Sequence, residues 1–341
     1  MRALDRAFAA VYADPLNDEP REALAAALTR AGDPRGAFIT TQLAQHRGER
    51  VRRDELAQAR AALKEHGKAW LAPLDGVLVA STVKWARGFP SAARLNLTGW
   101  WAVGLGERSP GAPHPLAGVS ALATLRSLKL SSPNMLLHRD QAEQIVALPA
   151  LRWLRELTDV PRRMLATMAA ARSPYLLETI KPQPQGGGGP EGERAEEGER
   201  AHLDRAFATA TGLPRLRDLD LSWSHGCDRP SDYAWLTESA IGRNLEVLRM
   251  EGYYLERNLP TWLEALDSTP YAGLALRELN IHHVFSVSLV RGEGGRWDGL
   301  RGDVGPDRYG ATVRELNDLL ATVGRDRFAE IAVRGYEPSR G

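Results

Sequence analysis

Residues of the kinds that enzymes use as nucleophiles are few in this 341-residue sequence, which contains a single cysteine, Cys227. His225 stands two residues before it, in the run Trp-Ser-His-Gly-Cys-Asp. A cysteine nucleophile requires a nearby base, a third group that orients the base, and donors that stabilise an oxyanion. The sequence around this pair offers neither the orienting group nor the oxyanion donors. It therefore favours an ordinary loop after a strand over a catalytic dyad.

Three other motifs suggest chemistry but lack the groups that the chemistry needs. Residues 138–140 read His-Arg-Asp, as in a kinase catalytic loop, but Ile145 occupies the position where the metal-binding asparagine is required. The glycines at 186–189 are not followed by Lys-Ser or Lys-Thr, so they do not form a phosphate-binding loop. His282 and His283 are adjacent on an expected strand and point to opposite sides, so a metal site there would need ligands from other segments. We therefore predict no catalytic residue, no bound metal and no cofactor, and we do not expect an enzyme.

The elements that would position a binding site change character along the chain. In about the first 75 residues, apolar side chains recur at helical spacing, with breaks at Asp14-Pro15 and at residues 32–34. This pattern predicts four helices, the last of them from about residue 53 to residue 66 with Gly67 as its C-terminal stop. We expect these residues to form a small all-helical domain.

Beyond residue 75 the pattern Leu-x-x-Leu-x-Leu, with some substitutions, recurs along the chain. The copies begin at Ala92, Leu125, Leu151, Leu177, Leu216, Leu245, Leu276 and Phe328. Four of the seven separations between starts are 26 to 31 residues, which is the length that one strand, one turn and one helix consume in an α/β repeat. Two longer separations contain Gly-rich runs, which we interpret as a flexible insertion at about 182–200 and a Gly-rich loop at about 291–310.

The repeated pattern predicts how the copies pack. Its last two apolar positions lie two residues apart, and therefore on the same side of a short strand. Parallel strands from successive copies can stack edge to edge, with helices covering the apolar side, because no copy can bury its own leucines alone. The predicted fold class is α/β: a solenoid (horseshoe) with a parallel concave sheet over residues 76–341, preceded by a small all-α N-terminal cap domain at residues 1–75.

These features resemble the leucine-rich-repeat family, and in particular its long, ribonuclease-inhibitor-like repeats, over residues 76–341. The N-terminal segment also resembles the short repeat-companion domain of myxobacterial and planctomycete proteins, on the run Ala13-Asp14-Pro15 and on residues 32–39 (Gly-Asp-Pro-Arg-Gly-Ala-Phe-Ile). The family places Asn or Cys at the ninth position of each repeat, where this chain has Trp100 and Tyr253 among others. Those rings either fill the turn in place of the asparagine or belong to a binding surface. The resemblance implies a bacterial protein-recognition module.

Composition limits the class of partner. Lys and Arg total 44 against 43 for Asp and Glu, a net charge of +1, which argues against a protein that holds nucleic acid or an anionic membrane by bulk charge. One cysteine rules out an internal disulfide framework and fits a reducing compartment. No segment is apolar enough to cross a membrane, and the first residues do not read as an export signal. We therefore expect a cytoplasmic protein without a membrane partner.

The residues expected on or beside the concave face mix aromatic, cationic and carboxylate side chains. This mixture is typical of the hot spots of protein–protein interfaces, and the mixed signs favour a protein over a polyanion. The predicted partner-binding residues are Trp153, Arg155, Asp218, Asp220, Trp223, Arg249, Glu251, Tyr253, Glu278, Asn280 and His282.

The leading prediction is thus a non-enzymatic module that binds another protein through the concave face. One alternative is a structural or regulatory subunit of a larger assembly. A second alternative is nucleic-acid binding through the arginines of the helical domain, although the overall neutrality of the chain argues against it. Those arginines are Arg47, Arg50, Arg52, Arg53 and Arg60.

Overall fold

The described part of the chain divides into two compact units. A computed structural model describes residues 3–96, 119–131, 146–160, 162–182, 203–221, 229–251, 255–282, 286–303 and 309–334. The units are residues 1–159 and residues 160–341. The domain boundary predicted after residue 75 lies inside the first unit, so the helical segment and the first strands belong to one compact body. The predicted insertion at 182–200 lies outside the described residues, except that Pro182 ends a strand.

Four helices begin the first unit, as the apolar spacing predicts. They are α1 (Ala3–Ala13), α2 (Glu19–Arg30), α3 (Arg35–His46) and α4 (Arg53–Trp70). The expectation that Gly67 ends α4 is wrong. Gly67 is buried inside the helix, and the helix continues to Trp70, whose ring packs on that of Phe38 with centroids 5.1 Å apart. This aromatic contact is made at the last residue of the extended helix.

The core of the helical segment also includes the first residue of a strand. Val11, Leu24 and Ile39 are fully buried, and they share one cluster with Phe89, which is 1 % exposed and begins β2. Burial of these side chains stabilises the unit by roughly 1.5–3 kcal/mol for each large residue. The helices are therefore joined to the sheet by shared apolar packing.

The described residues of the first unit form four strands in sequence order, the last of which ends at Val160, the first residue of the second unit. They are β1 (Lys84–Ala86), β2 (Phe89–Asn96), β3 (Ser127–Ser131) and β4 (Glu156–Val160). β1 is antiparallel to β2, and the β2–β3 and β3–β4 pairs are parallel. Short 3-10 turns at Ser120–Thr124 and Pro149–Trp153 precede β3 and β4. Each parallel strand is thus entered through a tight turn, as expected for a repeated unit.

Seven strands, also in sequence order, lie in the part of the second unit that the structure describes. They are β5 (Thr179–Pro182), β6 (Asp218–Leu221), β7 (Val247–Glu251), β8 (Glu278–His282), β9 (Ser286–Arg291), β10 (Trp297–Asp303) and β11 (Glu330–Arg334). Neighbours from β5 to β8 are parallel, β9 is antiparallel to both β8 and β10, and β10 is parallel to β11.

The expected Gly-rich loop at 291–310 contains a strand in its described part. Residues 297–303 form β10, and the turn that joins it to β9 occupies only residues 292–296. Trp297 and Leu300 are buried and anchor β10 to the core. The sheet is consequently mixed rather than purely parallel.

Helices of the second unit, apart from the short one at Thr269–Ala272, bury apolar side chains. They are α5 (Arg162–Ala169), α6 (Trp235–Glu238), α7 (Ala240–Asn244), α8 (Leu255–Asp267), α9 (Thr269–Ala272) and α10 (Tyr309–Val323), and residues 203–208 are also helical. On α8, Leu259 and Trp262 are 0 % exposed, and on α10 Leu316 is 0 % exposed. The helices thus supply the apolar side chains that the leucines of the strands require.

The predicted register is confirmed for most strands of the second unit. Leu219 pairs with Leu248, and Leu248 pairs with Leu279, as copies starting at Leu216, Leu245 and Leu276 require. Leu279 then pairs with Leu289 of the antiparallel β9. All four paired leucines are 0 % exposed, so they form one continuous buried row.

The predicted register is wrong for two strands of the first unit. Leu157 pairs with Leu128 and is 0 % exposed, so the third copy starts at Leu154 rather than at Leu151. Ala92 pairs with Ser127, so the first copy starts two residues before Ala92. In β4 the error arises because Leu151 precedes the true start, Leu154, by three residues, which makes two registers look alike.

Backbone hydrogen bonds repeat from strand to strand just before the sheet begins. The Arg126 carbonyl accepts from the N–H groups of Arg155 and Glu156, at 2.8 and 2.9 Å. The carbonyls of Glu178, Arg217 and Glu246 each accept two N–H groups of the next repeat in the same way. Backbone groups at the strand entrances are thus satisfied without an asparagine side chain.

Candidate functional site

One side of the second unit's sheet carries polar side chains in register. We define the polar strand face as Asp218, Asp220, Val247, Arg249, Glu278, Asn280, Ser288 and Val290, which alternate with the buried leucines of β6 to β9. All of them except Ser288 are half-buried, whereas the alternating leucines are fully buried. The alternation fixes which side chains can meet a ligand, because successive residues of a strand point to opposite sides.

Strand pairing arranges these residues in two rows. The first row runs Asp218, Val247, Glu278 and Val290, and the second runs Asp220, Arg249, Asn280 and Ser288. Neighbouring strands lie about 4.8 Å apart, so side chains in one row are within reach of one another. The sheet therefore presents a fixed array of charges.

Arg249 is neutralised within the face. Its guanidinium forms an ion pair with Asp218, one strand away and one row over, and both side chains are about one quarter exposed. Partial burial makes such a pair stronger than a fully exposed one. The only described guanidinium of β6 to β9 on this face thus already has a carboxylate partner within it.

Glu278, Asn280 and Ser288 form a hydrogen-bonded network. The Asn280 amide Nδ2 donates to Ser288 Oγ at 2.7 Å, and Ser288 Oγ donates to Glu278 Oε1 at 3.0 Å. Ser288 is 7 % exposed, and the buried Asn280 Oδ1 has no hydrogen-bond donor. A buried acceptor without a donor costs free energy, and the Asn280 Oδ1 atom carries this cost in the folded chain.

The structure brings five of the predicted binding residues together. Asp218, Asp220, Arg249, Glu278 and Asn280 all lie on the polar strand face. Glu251 and His282 pair with each other in the next row of the β7–β8 ladder. Trp223 and Tyr253 lie outside the described residues.

Two predicted residues are placed elsewhere. Trp153 ends the 3-10 turn at Pro149–Trp153, and Arg155 precedes the first residue of β4. Neither residue belongs to the strand face of the first unit, because the pairing of Leu128 with Leu157 shifts the register by three residues. The position predicted for Trp153 is occupied by Glu156, which pairs with Ser127.

Sequence reasoning missed Ser288 and Val290, which lie on β9. The segment 286–291 reads Ser-Val-Ser-Leu-Val-Arg, and its partial polar–apolar alternation was the available signal for a strand. The Gly-rich run that follows it favoured a loop instead. The antiparallel strand adds a fourth strand to the face.

A second polar cluster joins the helices to the sheet in the first unit. Guanidinium groups of Arg21, Arg87 and Arg126 all donate to the Pro15 carbonyl, at 2.9, 3.3 and 2.5 Å. Arg126 Nη1 also donates to the carbonyls of Ala123, Leu125 and Trp153. The cluster therefore satisfies carbonyls at the turn between α1 and α2 and at two strand entrances.

Burial and mutual repulsion disfavour the charge of this arginine cluster. Burial lowers the pKa of Arg21 to about 10, with further lowering by the charges of Arg87 and Arg126. Burial and the charge of Arg87 likewise lower the pKa of Arg126 to about 10. Both groups stay protonated at neutral pH, and their contacts to carbonyls are charge-assisted hydrogen bonds. The cluster serves packing, since Arg21 is 1 % exposed.

The arginines considered for nucleic-acid binding do not form a uniform basic surface. Arg47 pairs with Glu22 and lies 3.5 Å from Asp18, and Arg52 pairs with Asp54. These pairs offset two of the five positive charges locally. The structure therefore adds no support to the nucleic-acid alternative.

Neither a metal-binding cluster nor a membrane-spanning helix is found in the described ranges given above. Within them, no group of three or more His, Cys, Asp or Glu side chains is arranged to hold a metal ion. None of the helices there combines the length and the apolar character needed to span a membrane. Comparison with protein-family models, with curated proteins and with solved structures gives no match to this chain.

Proposed function

We propose that this chain is a non-enzymatic recognition protein of the leucine-rich-repeat type, which binds a partner protein in the cytoplasm. In this proposal the repeats form a horseshoe-like solenoid whose concave side is the strand face, and the polar strand face of the second unit is the binding surface. The helical segment at the N-terminus acts as a cap that covers the first repeat.

The observation that carries the proposal is the separation of the sheet into a buried side and a polar side. On β6 to β9 the leucines are fully buried, while the alternating Asp218, Arg249 and Glu278 keep part of their surface exposed. Side chains held on paired strands lose little further entropy on binding, which favours recognition by a rigid surface. A face of this kind needs no catalytic group to be useful.

The proposed cap is supported by the contacts of the first unit. Repeat proteins need a terminal element that covers the apolar end of the first repeat. Here Phe89 of β2 packs in the core of the helices, and Arg126 reaches from a strand entrance to the Pro15 carbonyl. Both contacts tie the helices to the start of the sheet.

An affinity purification that compares matched variants tests the proposal. Full-length protein, the double variant Asp220→Ala/Arg249→Ala and the control Glu264→Ala would each be immobilised and exposed to lysate of the native cell. Glu264 lies exposed on α8 and away from the polar strand face in sequence and element. Bound proteins would be quantified by mass spectrometry.

We expect at least one protein to be retained by the wild type and by Glu264→Ala and lost from the double variant. Direct binding of that purified protein, measured by calorimetry, should weaken by about tenfold or more in the double variant, since hot-spot residues contribute at least 1–2 kcal/mol each. Retention of the same proteins by all three samples would refute binding through this face.

A further inference from the structure

The first and last strands of the sheet order differ in how their outer edges are protected. β1 has three residues, and its register is interrupted between Lys84 and Trp85. The ring of Trp85 contacts those of Phe38 and Trp70, with centroids 6.0 and 6.1 Å away, so the helical segment packs against this edge strand. Short strands, bulges and covering elements all hinder the pairing of an edge with another chain.

β11, the last strand of the order, lacks these features in the part of the chain that the structure describes. It has five residues, in the sequence Glu-Ile-Ala-Val-Arg, with neither a proline nor a lysine among them. Its described neighbour is β10, and their parallel ladder runs without a register shift. The other edge of β11 has no described partner strand, so its outward backbone N–H and C=O groups are a template for a further strand.

A row of buried apolar residues also ends at β11. Leu289 pairs with Leu300, and Leu300 pairs with Ile331. Both leucines are 0 % exposed, whereas Ile331 is half-buried and is the last member of the row among the described strands. An apolar residue opposite Ile331 on a further strand would cover it, and burial of apolar surface favours association.

The sequence of β11 is complementary to itself when two copies run antiparallel. A pairing centred on Ala332 places Glu330 of one copy opposite Arg334 of the other. The same pairing places Ile331 opposite Val333, and two-fold symmetry makes each of these matches occur twice. Opposite charges directly across antiparallel strands are favourable, and a pairing centred anywhere else on the strand loses the match of Glu330 with Arg334.

The charges of the last two strands do not oppose such a contact. On the side of the sheet that carries Glu330, the paired residues of β10 and β11 include two residues of each sign, namely Arg301, Asp303, Glu330 and Arg334. Glu330 Oε2 already lies 3.5 Å from Arg301 Nη2, in an ion pair whose two side chains are more than half exposed. Because exposed ion pairs are weak and a carboxylate accepts several hydrogen bonds, this pair is compatible with a second guanidinium.

We propose that β11 is a dimerisation edge, at which the strand pairs antiparallel with β11 of a second copy of this chain about Ala332. Because β11 is not part of the polar strand face, this contact goes beyond the proposed function and is independent of it. A single strand pair buries little area, so the dimer is weak and forms at high protein concentration. The two copies use the same surface, so association stops at two.

A charge exchange at Ala332 tests the pairing, because Ala332 is exposed and pairs with itself across the symmetry axis. In full-length Ala332→Lys, and equally in Ala332→Glu, like charges lie opposite each other and disfavour the paired strands. An equal mixture of the two variants places an ammonium opposite a carboxylate. Ala234→Lys, at an exposed alanine just before α6, is the matched control.

Sedimentation equilibrium of the full-length proteins from about 5 to about 500 µM measures the association. We expect the average mass of the wild type and of Ala234→Lys to rise with concentration from 37.4 kDa towards twice that value. Each Ala332 variant should dissociate about tenfold more readily, and the equal mixture should recover the dimer. Circular dichroism melting would establish that each variant is folded. A variant that fails to fold is replaced by Glu330→Arg, which puts like charges opposite each other at both ends of the pairing.

Several results would overturn the dimerisation edge. A monomer at every concentration would refute the dimer, and masses beyond that of a dimer would contradict a closed two-fold contact. Dimers unaffected by Ala332→Lys, or an equal mixture of the two variants that stays monomeric, would refute pairing about Ala332. A dimer lost from Asp220→Ala/Arg249→Ala but kept by Ala332→Lys would place self-association on the polar strand face instead. Capture of a partner protein by that face is measured separately, so the proposed function can fail or succeed whichever result is found.

Discussion

The Nζ atom of Lys129 lies 3.2 Å from a carboxylate oxygen of Asp159, which belongs to the next strand of the first unit. Asp159 has a φ of +56°, a left-handed conformation that few residues other than glycine adopt. The next residue, Val160, is 0 % exposed. Because Leu157 is buried, strict alternation along the strand would bury residue 159, but Val160 takes that inward position instead. One extra residue is thus accommodated in β4 as a bulge, and its side chain reaches the ion pair.

Substitutions at Asp159 should separate backbone strain from the ion pair. Asparagine tolerates the left-handed region, so Asp159→Asn should lose only the exposed ion pair and change the free energy of unfolding by less than about 1 kcal/mol. Valine is β-branched and strongly disfavoured at positive φ, so Asp159→Val should destabilise the protein by about 2 kcal/mol. Urea unfolding followed by circular dichroism measures both values, and equal losses would contradict the bulge.

The corrected register of β4 makes a second prediction. Leu157 is 0 % exposed, whereas the neighbouring Thr158 is half-buried and pairs with Lys129 on the polar side. Leu157→Asn should therefore destabilise the protein by about 3 kcal/mol or more, because it removes apolar burial and buries an amide. Thr158→Asn should change stability by less than about 1 kcal/mol. If the copy began at Leu151, the effects at these two positions would be reversed.

Strands β6, β7 and β8 of the second unit could be predicted because their apolar rows are regular. Leu219, Leu248 and Leu279 occupy equivalent positions in copies of nearly equal length, so one alignment of the sequence fits all three. In the first unit, the leucine that follows each 3-10 turn and the leucine inside the turn are three residues apart, as are the first two leucines of the motif itself. Spacing alone cannot choose between those registers, and only the pairing of strands decides.

The residues of the candidate site could be predicted on β6, β7 and β8 but not on β9. Alternation on β6, β7 and β8 assigns Asp218, Arg249 and Glu278 to one side of the sheet, and the structure places them there. Glycines at 292, 294 and 295 concealed the strands β9 and β10, because turn composition hides the alternation on either side of a hairpin. The contact between Arg126 and Pro15 spans 111 residues, and no local pattern signals a contact at that distance.

The arginine cluster of the first unit should be important for stability. Arg126 donates to four carbonyls, including those of Pro15 and Trp153, and replacement by methionine would leave them without this donor. We expect Arg126→Met to lower the free energy of unfolding by about 2 kcal/mol or more. Arg152 is exposed in the neighbouring turn, and Arg152→Met is the matched control, with an expected change below about 0.5 kcal/mol. Indistinguishable urea midpoints for the two variants would show that the cluster contributes little.

The lowered pKa of Arg126 predicts a rise of stability at alkaline pH. Its pKa is about 10 in the folded protein and therefore lies below its ordinary value in the unfolded chain, because burial and the charge of Arg87 disfavour the cation. Between these two values the unfolded state binds more protons than the folded state, so the free energy of unfolding gains a contribution that increases with pH. Below pH 10 both states are protonated and the contribution is constant.

Arg126→Met lacks this group, so its stability should lack the corresponding rise. From pH 9 to pH 11, the free energy of unfolding of the wild type should increase by about 1 kcal/mol relative to that of Arg126→Met. Deprotonation of lysines and tyrosines affects both proteins alike and cancels in the difference. Urea titrations at pH 9, 10 and 11 measure it, with Arg152→Met expected to follow the wild type. A difference that stays constant or shrinks with pH would mean that the Arg126 guanidinium remains protonated throughout, and that its burial is fully compensated by the four carbonyls it contacts.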